Sequence, residues 1–94
     1  MGLSGYREVA EFFKVLSHPV RVMIVDELLK RKRCVNDIKE LIKVRQPNIS
    51  QHLAILKLHD IVDCGQEGKK KCYCLKNPQF IKEILSLMRR HKLI

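Results

Sequence analysis

One stretch of this sequence would be apolar on nearly every side if it were helical. Between Pro19 and Arg31 it carries Val20, Val22, Met23, Ile24, Val25, Leu28 and Leu29. A helix of this kind is stable only when other elements surround it. Ninety-four residues allow one modest core, so a helix over about 19–31 must lie at its centre and the rest must wrap it. Pro19 suits the first turn, where its missing N–H costs nothing. Lys30-Arg31-Lys32-Arg33 closes the helix, either as favourable charge at its C-terminus or as phosphate contacts.

The wrapping elements follow from periodicity. Val9, Phe12, Phe13 and Leu16 recur at i, i+3, i+4, i+7 and predict a helix over about 4–17, broken by Ser17-His18-Pro19. Val35, Ile38, Leu41 and Ile42 form the stripe of a helix over about 35–43, with Cys34 where Ser or Thr usually caps. Lys43 to Gln46 makes a turn, and Pro47 opens a helix over about 47–59 whose buried stripe is Ile49, Leu53 and Leu56. Two short helices joined by a tight turn are a helix-turn-helix. The period then shifts to two. Ile61-Val62-Asp63-Cys64 and Lys71-Cys72-Tyr73-Cys74-Leu75 read as strands around a turn at Glu67-Gly68. Asn77 caps and Pro78 opens a last helix over about 78–92. The expected fold is mainly α with a small β-hairpin wing: a winged helix-turn-helix, α-α-α-α-β-β-α, as one domain over 1–94.

Charge points to a partner. Residues 1–29 hold three Lys or Arg against four Asp or Glu, whereas residues 30–94 hold sixteen against six. A basic remainder after a neutral start suits a polyanion, and duplex DNA is the simplest one. The early positions of the helix over 47–59 sharpen this. Gln46, Asn48, Gln51 and His52 are expected nearest the bases, with Arg45, Ser50 and the wing lysines Lys69, Lys70 and Lys71 on phosphate. No Asp or Glu occurs between Glu40 and Asp60, as an anion-facing surface requires. The last helix carries more apolar residues than one small core absorbs. Phe12, Phe13, Ile81, Ile84, Leu85 and Met88 are therefore expected in a homodimer interface. A winged-helix module that contacts protein or RNA without binding an operator is the alternative reading.

The stretch from Phe12 to Leu75 resembles the ArsR/SmtB (arsenic-repressor) family. Leu16-Ser17-His18-Pro19-Val20-Arg21, Cys34-Val35-Asn36-Asp37-Ile38, Gln46-Pro47-Asn48-Ile49-Ser50-Gln51-His52-Leu53 and Glu67-Gly68-Lys69 carry the likeness in one colinear order. The resemblance implies a homodimeric repressor, joined by its first and last helices, that leaves an inverted-repeat operator when an effector binds. Two departures are plain. The Cys-x-Cys pair that some metal sensors place here is Cys34-Val35-Asn36, and the last helix offers only Glu83 and His91 as carboxylate and imidazole, eight residues apart. Neither of the family's metal sites is complete.

Other chemistry finds little purchase. Ser50 and His52 lie two apart on a helix and cannot face each other. No glycine-rich phosphate loop or nucleophile elbow is present, so no enzyme is expected. Nothing resembles a secretory leader or a membrane span, which places the expected protein in the cytoplasm with reduced thiols. No cofactor is certain. Cys34, Cys72 and Cys74 converge on one small sheet and are candidates for a thiol switch or soft-metal site that would weaken DNA binding. The plain alternative is that they are small buried hydrophobes.

Overall fold

The first helix, α1 (Leu3–Val15), presents one apolar edge: Val15 is buried and Phe12 half-buried. It stops at Leu16 and Ser17, whose hydroxyl donates to the Lys14 carbonyl at 2.7 Å. Helix α2 (Pro19–Leu28) follows, with the His18 Nδ1 accepting the Val20 N–H at 3.1 Å as its cap. Val20, Ile24, Val25 and Leu28 are buried, but Met23 is exposed. The central helix is thus enclosed on one side by its own chain and left partly bare on the other. The structure, a computed structural model, describes residues 2–30, the backbone of 33–34, and 48–92. The helix expected over 35–43, and with it Arg45, Gln46 and Pro47, lies outside the described residues.

Strand β1 is the two-residue segment Arg33–Cys34. Helix α3 (Ile49–Leu58) is pinned by Ile49, Leu53 and Leu56, all fully buried at i, i+4, i+7. Its end is a Schellman turn. The Asp60 N–H bonds to the Lys57 carbonyl and the Ile61 N–H to the Leu56 carbonyl, both at 3.0 Å. Asp60 takes the left-handed conformation (φ 58°), which a short polar side chain tolerates. The turn delivers Ile61 into the core and starts the hairpin.

Strands β2 (Val62–Glu67) and β3 (Lys70–Leu75) run antiparallel in the register Val62 opposite Leu75 through Glu67 opposite Lys70. The strands are longer than the hydrophobic pattern indicated, because the loop is only Gly68-Lys69. Gly68 supplies the positive φ (62°) that the first central position of such a loop demands. The sheet order is β1-β3-β2, with Arg33 opposite Tyr73 and Cys34 opposite Cys72. Val62, Tyr73 and Leu75 close the core from this side.

Helix α4 (Pro78–Arg90) starts at Asn77, whose Oδ1 accepts the Phe80 N–H at 3.3 Å. Arg89 ties it to α2 through Asp26 at 2.8 Å. Phe80 packs against Phe12 at a tilt of 49°, with ring centroids 5.2 Å apart. Ile81 and Leu85, expected between subunits, are instead 3% and 6% exposed within their own chain. Sequence reasoning assigned them outward because α4 is apolar on more than one face; the face that meets α2 takes these two.

Candidate nucleic-acid interface

The buried stripe of α3 decides what the helix shows to solvent. With Ile49, Leu53 and Leu56 turned inward, Ser50, Gln51, Ala54, Lys57 and Leu58 are exposed. Ser50, Ala54 and Lys57 follow one another at i, i+4, i+7 and so form one stripe. Asn48 is exposed at the helix start, and its side chain makes no capping bond. Its amide is not consumed by the helix.

His52 does not belong to this surface, contrary to the expectation that it would sit near the bases. It is 7% exposed and faces α2. The Arg21 Nε donates to its Nδ1 at 3.3 Å, and its ring lies 4.3 Å from that of His18. Arg21 also donates through Nη1 to the Val15 carbonyl at 3.1 Å. One guanidinium therefore joins the end of α1 to α3 across α2. Counted from Ile49, position 52 lies at i+3, on the inward side of the helix. That spacing was the signal for its burial, and polarity alone concealed it.

Burial pushes the His52 pKa below its ordinary 6.5, and the neighbouring His18 and Arg21 charges push the same way. Between the depressed pKa and 6.5 the unfolded chain binds more protons than the folded one, so stability falls as pH falls. We expect the melting temperature to be insensitive to His52 above pH 6.5 and to decline below it. Replacing His52 by Asn should shrink that decline. An unchanged slope between pH 6.5 and 5 in the variant would show that His52 is not the group responsible.

The wing brings charge to the same side. Lys69, Lys70 and Lys71 are all exposed. Alternation along β3 sets Lys71 with Tyr73 and Leu75 on the inward face, and Lys70 with Cys72 and Cys74 on the other. Lys70 also lies directly across from Glu67. A recess between α3 and the sheet is lined by Ala54, Lys57, Leu58, Cys64, Lys71 and Tyr73. Lys57 and Lys71 thus flank one concavity, beside the stripe that begins at Ser50. Lys57 was missed in the sequence, although its place two turns after Ser50 marks it.

The cysteines divide by face. Cys64 lies across from Tyr73, and burial, followed by a hydrogen bond with Cys64, pushes the Tyr73 phenol above its ordinary pKa. Cys72 is buried and Cys74 exposed on the opposite face. Among the described residues no group of three or more His, Cys, Asp or Glu is placed to hold a metal ion.

Known proteins share this fold. The model of the bacterial regulatory protein family arsR matches residues 18–63, from the α2 cap into β2. The chain is 33% identical over 86 residues to an uncharacterized HTH-type transcriptional regulator of Mycobacterium tuberculosis, Rv0081, covering 90% of this chain and 75% of that one. The crystal structure of Rv0081 superposes with a TM-score of 0.76 at 35% identity, covering 90% of this chain and 85% of that chain. The crystal structure of the transcriptional repressor BigR from Xylella fastidiosa gives a TM-score of 0.79 at 30% identity, covering 95% and 91%. A homodimeric winged helix-turn-helix domain, Mb0332 of Mycobacterium bovis, shares the fold at a TM-score of 0.83 and 22% identity, covering 94% and 84%. The fold is the winged helix-turn-helix, and the chain belongs to the arsR family of bacterial regulatory proteins, which are transcriptional regulators and not enzymes.

Proposed function

We propose that this protein is a repressor that binds an inverted-repeat site on duplex DNA as a two-fold homodimer and is released by an effector. One observation carries the DNA reading: Asn48, Ser50, Gln51 and Lys57 share the exposed face of α3, and Lys57 lines a recess with Lys71, on a segment without a carboxylate from 41 to 59. An amide is suited to base edges, and lysine to phosphate. Asn48 and Gln51 accordingly read bases, joined by Gln46. Ser50, Lys57, Lys69, Lys70, Lys71 and Arg45 hold the backbone. His52 holds α3 on α2 and contacts no base. BigR is named a transcriptional repressor, which supports repression here. No described helix is long and apolar enough to cross a membrane, in keeping with work in the cytoplasm.

The dimer reading rests on apolar surface that one chain leaves uncovered. Phe13 is 62% exposed, Val9 and Phe80 are exposed and line one recess with it, and Leu87 is exposed further along α4. Phe12, Ile84 and Met88 are half-buried in a groove between α1, α2 and α4. A second copy covering these residues forms a closed isologous interface and sets two α3 helices on one side of the duplex, roughly 34 Å apart or a little more.

Titration of a fluorescent duplex carrying the natural upstream site, against a scrambled duplex, tests the reading. Lys71→Ala should weaken both to the same degree and lower the slope of log affinity against log salt by about one unit per subunit. Gln51→Ala should cost about 1–3 kcal/mol on the specific site only. Equal loss on both duplexes in the Gln51 variant would remove it from base reading. Salt-independent binding would favour a protein-contact module.

A further inference from the structure

Two cysteines face each other across the seam that joins the wing to the helix-turn-helix. Cys34 is the last residue of β1, and its Cα partner on β3 is Cys72. Directly opposed residues on antiparallel strands have Cα atoms about 4.5–5.5 Å apart, within the roughly 4.4–6.8 Å that a disulfide spans. Cys72 is 1% exposed and disulfide-bonded, whereas Cys64 and Cys74 carry free thiols. The Glu67 Oε2 lies 3.9 Å from the Cys72 Sγ. In the sequence, Lys32 and Arg33 precede Cys34, and neighbouring cations favour a thiolate.

We propose that Cys34 and Cys72 are a redox-active dithiol, closed to a disulfide by low-molecular-weight disulfides, and that closing it tightens DNA binding. The second half rests on the DNA-binding reading above. The chemistry is thiol–disulfide exchange. The Cys34 thiolate attacks one sulfur of the small disulfide and expels the other half as a thiolate. Cys72 then attacks the Cys34 sulfur of the mixed disulfide, loses its proton to Glu67 or water, and expels the second small thiolate. Two protein thiols are oxidised by two electrons, and one small disulfide is reduced to two thiols. The buried position of Cys72 makes Cys34 the entry point.

The bond joins residues already paired in the sheet, so it does not displace the wing. This reverses the direction expected from sequence, where a thiol switch was to move the wing and weaken binding. Without the bond, the pairing that ties β1 to β3 among the described residues is the two-residue one of Arg33 with Tyr73 and Cys34 with Cys72. With it, the chain from 35 to 71, which includes α3 and β2, becomes a closed loop anchored on the wing. The Lys71 side of the wing is then held beside α3 before DNA arrives, and the cost of ordering it on binding falls.

The full chain, reduced or treated with oxidised glutathione at fixed protein concentration, gives the test. Oxidation should leave two alkylatable thiols, on Cys64 and Cys74, and yield one linked pair of peptides containing Cys34 and Cys72. The melting temperature should rise by roughly 10–20 °C, and affinity for a duplex at constant salt should rise about threefold to tenfold. Cys72→Ser should lose both changes and stop at a Cys34–glutathione adduct, while a Cys64→Ser/Cys74→Ser double variant should keep them. Four alkylatable thiols after oxidation, a linkage through Cys74, or a closed bond that leaves affinity unchanged or lower would each overturn the proposal. The linked peptide and the melting shift need no DNA, so failure of both redox forms to bind any duplex counts against the regulator reading and leaves the dithiol to its own readout.

Discussion

Phe13→Glu is expected to turn the proposed dimer into a chain of 11.0 kDa and to weaken binding to a two-half-site operator by about 10²–10⁴-fold. Phe13 is mostly exposed in the single chain and touches Phe12 edge-on, with centroids 5.7 Å apart. A carboxylate there is accommodated by the monomer but is stripped of water in a dimer, at a cost of several kcal/mol without a partner. Operator affinity falls with it, because two half-sites joined in one dimer gain that factor of about 10²–10⁴ over separate subunits. Sedimentation at micromolar concentration reads the first effect and duplex titration the second. The helix signal in circular dichroism should persist. A variant that stays dimeric would place the interface elsewhere, and Val9 or Leu87 would be the next positions to charge.

Leu53→Ala should cost about 3–4 kcal/mol of stability, near the middle of the range for a fully enclosed leucine. Leu53 is 0% exposed and lies in the cluster that joins α2, α3, the sheet and α4. In a domain of this size that loss corresponds to a fall in melting temperature of roughly 12–30 °C. Leu58→Ala, five residues on, should change stability by less than about 0.5 kcal/mol, since Leu58 is 77% exposed. Both must be compared at one protein concentration, because the stability of the proposed dimer depends on it. Similar melting temperatures for the two variants would mean that α3 is not seated as described.

Much of the α3 surface was legible because burial on a helix follows spacing. Ile49, Leu53 and Leu56 identify the inward side, and Ser50, Gln51 and Lys57 follow as the outward one. His52 was misassigned because a polar side chain was taken for a surface one. Its i+3 spacing from Ile49 points inward, but the group that satisfies it there, the Arg21 Nε that donates to its Nδ1, is thirty-one residues away, and no local pattern encodes that partner. Ile81 and Leu85 were misassigned for the complementary reason. An apolar helix with two apolar faces does not say which face meets its own core until α2 is in place.

Spacing and charge along the chain were enough to place the described helices and the two wing strands in order, but not β1, together with the helix starts at His18-Pro19 and Asn77-Pro78 and the basic balance after residue 30. These depend on nearest neighbours, on a period of 3.6 or 2, and on net charge, all of which are local or additive. Tertiary structure alone decided that His52 is buried under Arg21, that Lys57 and Lys71 line one recess, that Lys71 and not Lys70 turns toward α3, and that Cys34 lies across from Cys72. Each of these joins residues far apart in the chain. Their positions follow only once the shared core and the strand register have been set, because a one-residue slip in register would exchange every inward side chain of β3 for an outward one.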